Sequence, residues 1–305
     1  NSGSQQNEDV LVKKYLSKFN NIEYIRTTER ETIYQAWNRG IKIAKGKFIC
    51  NSNTDDRLKE DALEILSNEL EKNTEIGVVY ADQYITTIPN QTFKEVRNSS
   101  IYYFPNYKYI HLLDRCIIGS QPMWRSSIHF TDNIWFNKDF EVCGDHDFYI
   151  RVAEKHDIKH LDKVLGTYYK SPEKSNKEYQ DPIKTINEGF SITFYHTQKY
   201  LNSLSGTEIK KVFLSNIFLV SMPFIFYRVL YKIICIVFPR QHFQYPEYSY
   251  LLIILIYRKI KNYNKVVHYC KKYLKHTSSL RIQRVLNSIG IPEHDKKEIL
   301  NLENV

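Results

Sequence analysis

The chain has 305 residues, of which 42% are hydrophobic and 25% charged, proportions typical of a soluble globular protein with one large domain or two smaller ones. Residues 199–305 contain 17 Lys and Arg against 6 Asp and Glu, which gives this part a net charge of +11. The formal net charge of the whole chain is +9, so residues 1–198 have a net charge of about −2. This uneven distribution leads us to expect two modules with different partners. The five cysteines include no CxxC pair, which excludes a disulfide framework and a cysteine-based zinc cluster and predicts a reducing compartment. The first residues are polar, so we expect no secretory signal peptide.

Residues 1–175 alternate short apolar runs with helical patterns, which is the order of elements in an α/β domain. We predict helices over residues 10–19, 31–46, 57–73 and 145–156. We predict strands over residues 22–28, 47–52, 76–86 and 164–170. Gly46 is the expected end of the second helix. The third helix is amphipathic, with an apolar side made of Leu58, Ala62, Ile65, Leu66 and Leu70. Residues 171–182 are polar and proline-bounded, and we predict a mobile loop there.

After residue 183 the pattern is helical throughout. The most apolar stretch, 210–238, has a longest uncharged run of 16 residues, Val212 to Tyr227, whereas a membrane-spanning helix needs about 20. A buried core helix, an interfacial helix and a transmembrane helix stay open as alternatives for this stretch. Residues 250–276 predict two helices joined near Asn262, an arrangement that resembles one tetratricopeptide-type unit.

Two adjacent carboxylates, Asp55 and Asp56, follow the strand predicted over 47–52. Two like charges side by side are tolerable when they are solvated, or when a cation lies between them and a ligand. The C-terminal end of a strand in an α/β sheet opens onto a ligand crevice, so this turn is suited to hold a divalent cation against a diphosphate. The alternative is a solvated turn in which Asp56 is the N-cap of the next helix.

Residues 32–64, TIYQAWNRGIKIAKGKFICNSNTDDRLKEDALE, resemble glycosyltransferase family 2: a helix with Trp-Asn-x-Gly, then Gly-Lys-aromatic-Ile, a strand and a DxD-type turn. The resemblance covers residues 1 to about 176 and implies the GT-A fold, a nucleotide-sugar-binding mixed α/β sheet flanked by helices. The last Asp of DxD in this family helps to hold Mn²⁺ or Mg²⁺ on the donor diphosphate, which implies this role for Asp55, with Asn53 at the first DxD position. The positions that the resemblance assigns to nucleotide-sugar binding are Asn1, Ser2, Gly3, Asn38, Gly40, Asn53 and Asp55.

A second block, residues 117–155, resembles the acceptor side of the same family. Asp145 matches the catalytic base, which takes the proton of the attacking acceptor hydroxyl. The resemblance also places Gln121, Trp124 and Asp147 on the acceptor side. From the residues alone, Trp124 is as well suited to a core position as to stacking on a sugar. Both acids are also suited to the N-terminus of the predicted helix, where its dipole favours negative charge.

Residues 1–9 resemble the turn that ends the second strand of the family. We therefore expect that the first strand, the first helix and most of the second strand would lie before residue 1, and that the chain either is a piece of a longer polypeptide or has lost its start. The family often has a histidine as a third metal contact, and residues 166–176 contain none. The Gln/Arg-x-x-Arg-Trp signature of processive synthases is absent as well, which predicts single additions. We therefore predict an N-terminally incomplete GT-A domain over residues 1–182 and a helical C-terminal region over residues 183–305.

The resemblance implies an inverting, metal-assisted hexosyltransferase that moves a sugar from a nucleotide-sugar to a glycan or lipid-linked acceptor in bacterial cell-surface polysaccharide synthesis. Residues 199–305, which are basic and aromatic, are expected to contact an anionic membrane face or a partner enzyme, so the expected location is cytoplasmic or peripheral on the inner membrane face. The alternative is a non-catalytic, transferase-like adaptor that scaffolds a glycan-assembly complex. No nucleic-acid-binding motif is recognised, and nucleic acid is not an expected partner.

Overall fold

The computed structural model describes residues 1–4, 7–96, 100–173, 177–221, 246–259, 262–274, 285–288, 290 and 296. The chain divides into two compact units. Unit 1 contains residues 1–102 and 118–188, and unit 2 contains residues 103–117 and 189–305. The assignment of domains over 1–182 and 183–305 stays a prediction.

The described part of unit 1 is built on a six-stranded mixed sheet. Its strands are β1 (Phe48–Cys50), β2 (Arg57–Leu58), β3 (Ile76–Thr86), β4 (Ile101–Tyr102), β5 (Met123–Arg125) and β6 (Asp157–Tyr169). The strand order is β1-β5-β3-β6-β2, and β4 pairs with β3 beside this path. β3 and β6 form a long parallel pair, and the other pairs are antiparallel. The predicted fold class, a mixed α/β sheet flanked by helices, is confirmed.

Unit 1 also contains helices. They are α1 (Glu8–Leu16), α2 (Ile33–Ile43), α3 (Ala62–Lys72), α5 (Ser127–Phe130), α6 (Gly144–Ala153), α7 (Lys177–Gln180) and the first part of α8 (Pro182–Ser203). A capping box starts α2, because the Thr32 side chain accepts from Gln35 N and the Gln35 side chain accepts from Thr32 N. This local signal explains why the second predicted helix forms where the sequence places it.

The apolar side of α3 packs on the sheet as the sequence predicts. Ala62, Leu66 and Leu70 are at most 1% exposed, and they belong to one hydrophobic cluster with Val79 and Ala81 of β3. The remaining predicted apolar residues, Leu58 and Ile65, are partly buried against the same cluster. Complete burial of one large aliphatic side chain contributes about 1.5–3 kcal/mol. Burial of these side chains therefore holds α3 on β3.

Two strand predictions differ from the structure. Residues 22–28 do not form a strand, because in the described part of the chain only Ser2 pairs with this segment, through a single parallel bridge to Thr27. A strand needs a continuous ladder of backbone hydrogen bonds, which one bridge does not provide. The strand predicted over 164–170 is longer, since β6 begins at Asp157 and pairs with β3 along its length.

The starts and ends of helices also differ. The helix predicted over 57–73 begins only at Ala62, because Arg57 and Leu58 pair with β6 as a short strand. Helix α2 ends at Ile43 with an extended Ala44 as its C-cap, so Gly46 is not its stop signal. The loop predicted over 171–182 contains the short helix α7, and residues 174–176 lie outside the described residues.

Unit 2 is helical in the residues that the structure describes. Its helices are α4 (Tyr109–Asp114), the rest of α8, α9 (Gly206–Ser221), α10 (Pro246–Lys259) and α11 (Tyr263–Leu274). α10 and α11 lie on either side of Asn262 and pack on each other, and their assignment to a tetratricopeptide-type hairpin stays a prediction. Of the apolar stretch 210–238, residues 222–238 lie outside the described residues. Among the helices that the structure does describe, none is both long and apolar enough to cross a membrane.

Candidate functional site

The turn between β1 and β2 exposes one carboxylate and buries the next. β1 ends at Cys50, and the chain reaches Arg57 of β2 through residues 51–56. Asp55 is exposed on this turn, whereas Asp56 is only 3% exposed. The two neighbouring acids therefore lie in different environments and have different roles.

Asp56 fixes the base of the turn by accepting three hydrogen bonds. Tyr169 N donates to Oδ1 at 2.9 Å, while Ser120 Oγ and Asn53 Nδ2 donate to Oδ2 at 2.8 and 3.1 Å. Burial raises the pKa of Asp56, and the three hydrogen bonds oppose that rise because they stabilise the carboxylate. The alternative in which Asp56 caps a helix is wrong, since α3 begins at Ala62 and Asp56 binds partners that are distant in the sequence.

A network of buried amides continues beneath the turn. Gln83 Nε2 donates to Ser120 Oγ and to Gln121 Oε1, both at 2.9 Å, and Asn51 Nδ2 donates to Ser120 O at 2.7 Å. Gln121 is 7% exposed. It lies so close to β6 that a Cβ added to Gly166 would be 1.7 Å from Gln121 Oε1. The structure therefore buries Gln121 against β3 and β6, and not on an exposed acceptor surface.

Arg57 closes the turn at its C-terminal end. Its Nη1 donates to the carbonyl oxygens of Thr54 and Asp56 at 2.9 and 2.7 Å, and its Nη2 donates to Asn90 Oδ1 at 2.7 Å. The guanidinium is thus a fixed positive charge beside the turn that carries Asp55, which favours an anionic ligand there.

The carboxylate of Asp55 is the group that this turn leaves available to a metal ion. No cluster of three or more His, Cys, Asp or Glu side chains suited to a metal occurs in the part of the chain that the structure describes. Mg²⁺ in proteins often binds through only one or two carboxylates, with phosphate oxygens and water as its other ligands. The residues therefore fit an ion that a diphosphate ligand holds jointly with Asp55. They do not fit an ion that the protein holds by itself.

Asp145 lies in the first turn of α6 and is half-buried. Its Oδ1 accepts a hydrogen bond from His146 N at 2.8 Å and lies 3.4 Å from the hydroxyl oxygen of Tyr34. The Tyr34 hydroxyl donates to Val142 O at 2.7 Å. Burial, together with the Asp145 carboxylate, raises the pKa of Tyr34, so this hydroxyl stays protonated and acts as a donor. Tyr34 packs so tightly here that a Cβ added to Gly144 would lie 2.7 Å from its ring.

Asp147 makes a contact that stabilises α6 itself. Its Oδ2 accepts from Arg151 Nε and Nη2 at 2.8 and 2.6 Å, and Arg151 Nη2 also donates to Trp135 O at 2.7 Å. An acid in the first turn and a partner four residues later is a stabilising arrangement in helices. The structure thus supports the helix-terminal alternative for Asp147, and its place on the acceptor side stays a prediction.

Trp124 is a core residue, and its assignment to the acceptor side needs correction. Its side chain is 1% exposed, so neither face of the ring is available to stack on a sugar. Its Nε1 donates to His129 Nε2 at 2.7 Å, and its ring packs edge-on against Phe136 and Phe148. Burial lowers the pKa of His129 to about 4, which keeps the ring neutral and able to accept from Trp124.

Two predicted donor-side residues lie on α2. Asn38 binds the backbone of Phe136 with both amide atoms: Nδ2 donates to Phe136 O at 2.8 Å, and Oδ1 accepts from Phe136 N at 3.2 Å. Its observed role is to hold α2 against the segment before α6. Gly40 is exposed, and a Cβ added there would meet no atom within 4 Å. Contact of either residue with a nucleotide-sugar stays a prediction.

The first residues of the chain are held by local hydrogen bonds. Asn1 Nδ2 donates to the hydroxyl of Tyr24 at 2.9 Å, and Ser2 Oγ accepts from Glu31 N at 2.5 Å. Gly3 has φ of +60°, and a Cβ there would lie 3.1 Å from the backbone of residues 29 and 30. This left-handed conformation requires glycine. Nucleotide-sugar binding by Asn1, Ser2 and Gly3 stays a prediction.

Three supporting residues were not identified from the sequence: Tyr34, Ser120 and Glu188. Glu188 lies on α8 and accepts hydrogen bonds from the backbone of residues 141–143. Each acts across a wide separation, 108 residues from Tyr34 to Val142 and 64 from Ser120 to Asp56. Only Tyr34 had a usable signal, since it shares the apolar side of α2 with Ile41.

Comparisons with known proteins agree with this geometry. The sequence profile "Glycosyl transferase family 2" matches residues 1–130. The chain is 24% identical over 219 residues to chondroitin synthase from Escherichia coli, an alignment that covers 68% of this chain and 30% of that protein. It is 27% identical over 167 residues to hyaluronan synthase from Pasteurella multocida, covering 54% of this chain and 16% of that protein. The chain therefore spans less than a third of the length of these relatives.

A solved structure shows the same fold. The crystal structure of S. aureus TarS 1-349 in complex with UDP-GlcNAc superposes with a TM-score of 0.55 at 14% identity, covering 90% of this chain and 81% of that chain. This likeness confirms the predicted GT-A fold. The profile match ends before Asp145, so the assignment of that residue rests on its own sequence block. Residues 1–130 of the chain therefore match the model of glycosyl transferase family 2, which confirms the family resemblance predicted from the sequence.

Proposed function

We propose that unit 1 transfers a sugar from a nucleotide-sugar donor to a hydroxyl group of a glycan or lipid-linked acceptor, in bacterial cell-surface polysaccharide synthesis. The observation that carries this proposal is the turn after β1, in which exposed Asp55 lies on a turn fixed by buried Asp56 and by Arg57, in a stretch that matches the family 2 model. Similarity to chondroitin and hyaluronan synthases, and to a structure that contains UDP-GlcNAc, supports a UDP-sugar as the first donor to test.

In the proposed reaction Asp145 is the general base. Its carboxylate takes the proton of the acceptor hydroxyl while the hydroxyl oxygen attacks the anomeric carbon of the donor. The bond from that carbon to the nucleotide diphosphate breaks in the same displacement, and the diphosphate leaves with the bonding electron pair. A single displacement inverts the configuration at the anomeric carbon. The backbone and Tyr34 contacts of Asp145 hold the base in place in the first turn of α6.

The donor diphosphate is proposed to bind over the turn after β1. Asp55 would hold Mn²⁺ or Mg²⁺ together with the diphosphate oxygens, and such an ion supplies positive charge that stabilises the leaving diphosphate. Arg57 adds a fixed positive charge at the same turn. Because the turn offers one exposed carboxylate, we expect appreciable metal affinity only when the nucleotide is bound.

Unit 2 is proposed to contact an anionic membrane face, so that the protein acts as a peripheral protein at the cytoplasmic side. Residues 199–305 carry a net +11, and basic segments are attracted to anionic lipid surfaces. Tyr195 and Leu214, which are 62% and 55% exposed in unit 2, are apolar groups suited to the lipid interface.

Donor turnover and nucleotide binding, both measured on the full chain, test the proposed transferase. We expect Asp145→Asn to lower kcat for UDP-sugar turnover by at least about 100-fold, because it removes the general base, without changing the affinity for UDP. We expect Asp55→Ala to abolish the Mn²⁺-dependent part of UDP binding in calorimetric titrations. Asp61→Ala is the matched control, since Asp61 is a nearby carboxylate that pairs with Lys59 outside the turn.

Retention of wild-type turnover by Asp145→Asn would refute the assignment of the base. Equal UDP affinity with and without Mn²⁺ would refute the metal role of Asp55. If the folded wild-type chain neither binds nucleotides nor turns over donors, the non-catalytic adaptor becomes the better explanation.

A further inference from the structure

The segment that leads into the helix of Asp145 is held by a carboxylate from another helix. Glu188, on α8, accepts hydrogen bonds from three consecutive backbone N–H groups. Its Oε1 accepts from Glu141 N at 2.9 Å, and its Oε2 accepts from Val142 N at 2.8 Å and from Cys143 N at 2.9 Å. All of these residues belong to unit 1.

This contact fixes the backbone immediately before α6. Helix α6 begins at Gly144, and its N-cap residue Cys143 makes no hydrogen bond from its side chain to the first turn. Glu188 binds the N–H groups of residues 141–143, which precede the first helical residue. Its acceptor is a carboxylate, and hydrogen bonds to charged groups are about twice as strong as neutral ones. Three such bonds fix both the position and the orientation of the backbone just before α6.

The carbonyl side of the same segment is held as well. Val142 donates its N–H to Glu188, and its carbonyl oxygen accepts from the hydroxyl of Tyr34 at 2.7 Å. Two side chains, from α8 and α2, therefore clamp one residue from opposite sides. Asp145 follows three positions later, in the first turn of a helix whose start is defined by this clamp.

We propose that Glu188 is a positioning residue for Asp145. The inference rests on the proposed function, in which Asp145 is the general base. A base must lie within hydrogen-bond reach of the hydroxyl that it deprotonates, and a displacement of about 1 Å costs about 100-fold in rate. Glu188 itself touches neither donor nor acceptor in this account. Its effect on the reaction passes entirely through the backbone of residues 141–143.

The test is a double-mutant cycle between Glu188 and Asp145, with turnover of the UDP-sugar that supports activity as the readout. We expect Glu188→Ala to lower kcat by about 100-fold and Glu188→Gln by about 10-fold, with KM for the donor changed by less than about threefold. Glutamine keeps one oxygen acceptor but turns an amide N–H₂ group towards the remaining backbone donors. If the alanine variant does not fold, the glutamine variant carries the test.

In the Asp145→Asn background, Glu188→Gln should cost less than about twofold, because a residue that acts through the base has nothing left to position. Lys184→Met is the matched control on the same helix. Lys184 pairs with the Glu141 side chain at 2.6 Å, so this change removes a neighbouring surface contact and leaves the three backbone bonds intact. We expect its kcat to equal that of the wild type.

Two results would overturn the inference: an unchanged kcat in Glu188→Gln, or a loss that multiplies fully with that of Asp145→Asn. If the two losses in kcat multiply fully, Glu188 supports folding in general and does not position the base. Failure of the proposed function is seen separately, because the wild-type chain would then turn over no donor, and failure of the base assignment would leave the kcat of Asp145→Asn equal to that of the wild type.

Discussion

Replacing Asn53 by Asp tests how the turn after β1 is built. The family resemblance places an acidic residue at this position, and the substitution would restore it. In the structure, however, Asn53 Nδ2 donates to the buried Asp56 carboxylate at 3.1 Å. A carboxylate accepts hydrogen bonds and cannot donate them when ionised, so the nitrogen of Asn53 must be the atom that faces Asp56. An Asp at position 53 would place a second negative charge against the first.

The cost can be estimated from the geometry. A hydrogen bond to a charged group contributes about 1.5–3 kcal/mol, and this contribution is lost. Coulomb's law with an effective dielectric constant of about 20 gives a repulsion of about 5 kcal/mol for unit charges about 3 Å apart. Protonation of one carboxyl group limits the total cost to about 4 kcal/mol at pH 7. We therefore expect Asn53→Asp to lower the free energy of unfolding by about 2–4 kcal/mol at that pH.

Urea denaturation at pH 7 and at pH 5 measures this change. The second negative charge adds to burial in raising the pKa of Asp56 in the folded state. The folded variant then binds a proton more readily than the unfolded chain, so its free energy of unfolding should rise relative to wild type as the pH falls. Asn53→Ala is the matched control, because it removes the donor without adding charge. Equal free energies of unfolding for wild type and Asn53→Asp at pH 7 would refute the hydrogen bond.

Two further predictions concern the core of unit 1 and the surface of unit 2. Burial lowers the pKa of His129 from 6.5 to about 4. Between these pH values the folded state therefore binds fewer protons than the unfolded chain. The free energy of unfolding should fall by about 3 kcal/mol as the pH drops from 6.5 to 4. His129→Gln, which keeps an acceptor for Trp124, should remove this part of the pH dependence, and an unchanged profile in chemical denaturation would contradict it. The full chain should also sediment with vesicles that contain phosphatidylglycerol and not with vesicles of phosphatidylcholine alone, and salt should weaken that binding. Equal sedimentation with both kinds of vesicle would argue against an electrostatic membrane contact.

Local sequence signals were sufficient for much of the fold. The strand β3 was predicted over its full length, since residues 76–81 form an apolar run and Tyr84 and Ile85 follow it. The helix α2 follows from its capping residues, and the apolar side of α3 follows from its helical periodicity. The motif pattern of residues 32–64 identified the family and the fold, because the spacing between its elements is contained in one continuous stretch of chain.

The site was predicted less completely, and the reason is visible in individual residues. Asp55 and Asp145 could be predicted as site residues because each stands in a local motif, and their roles stay predictions. Asp56 was interpreted as a helix cap because its neighbours in the sequence allow that role. Its actual partner Tyr169 is 113 residues away. Trp124 was left open between core and surface, since the sequence does not state which side of a three-residue strand faces the interior.

By itself, the sequence determined the α/β class of unit 1, its strand β3 and main helices, the family resemblance of residues 1–130 and the position of the two acids of interest. The tertiary structure alone decided which carboxylate is exposed, which residues support the turn, and that Glu188 holds the backbone before α6. The physical reason is that hydrophobic periodicity and capping act over a few residues, whereas burial and hydrogen bonding at the site join segments separated by 45 to 113 residues. Such contacts are specified by packing, and they become visible only when the chain is folded.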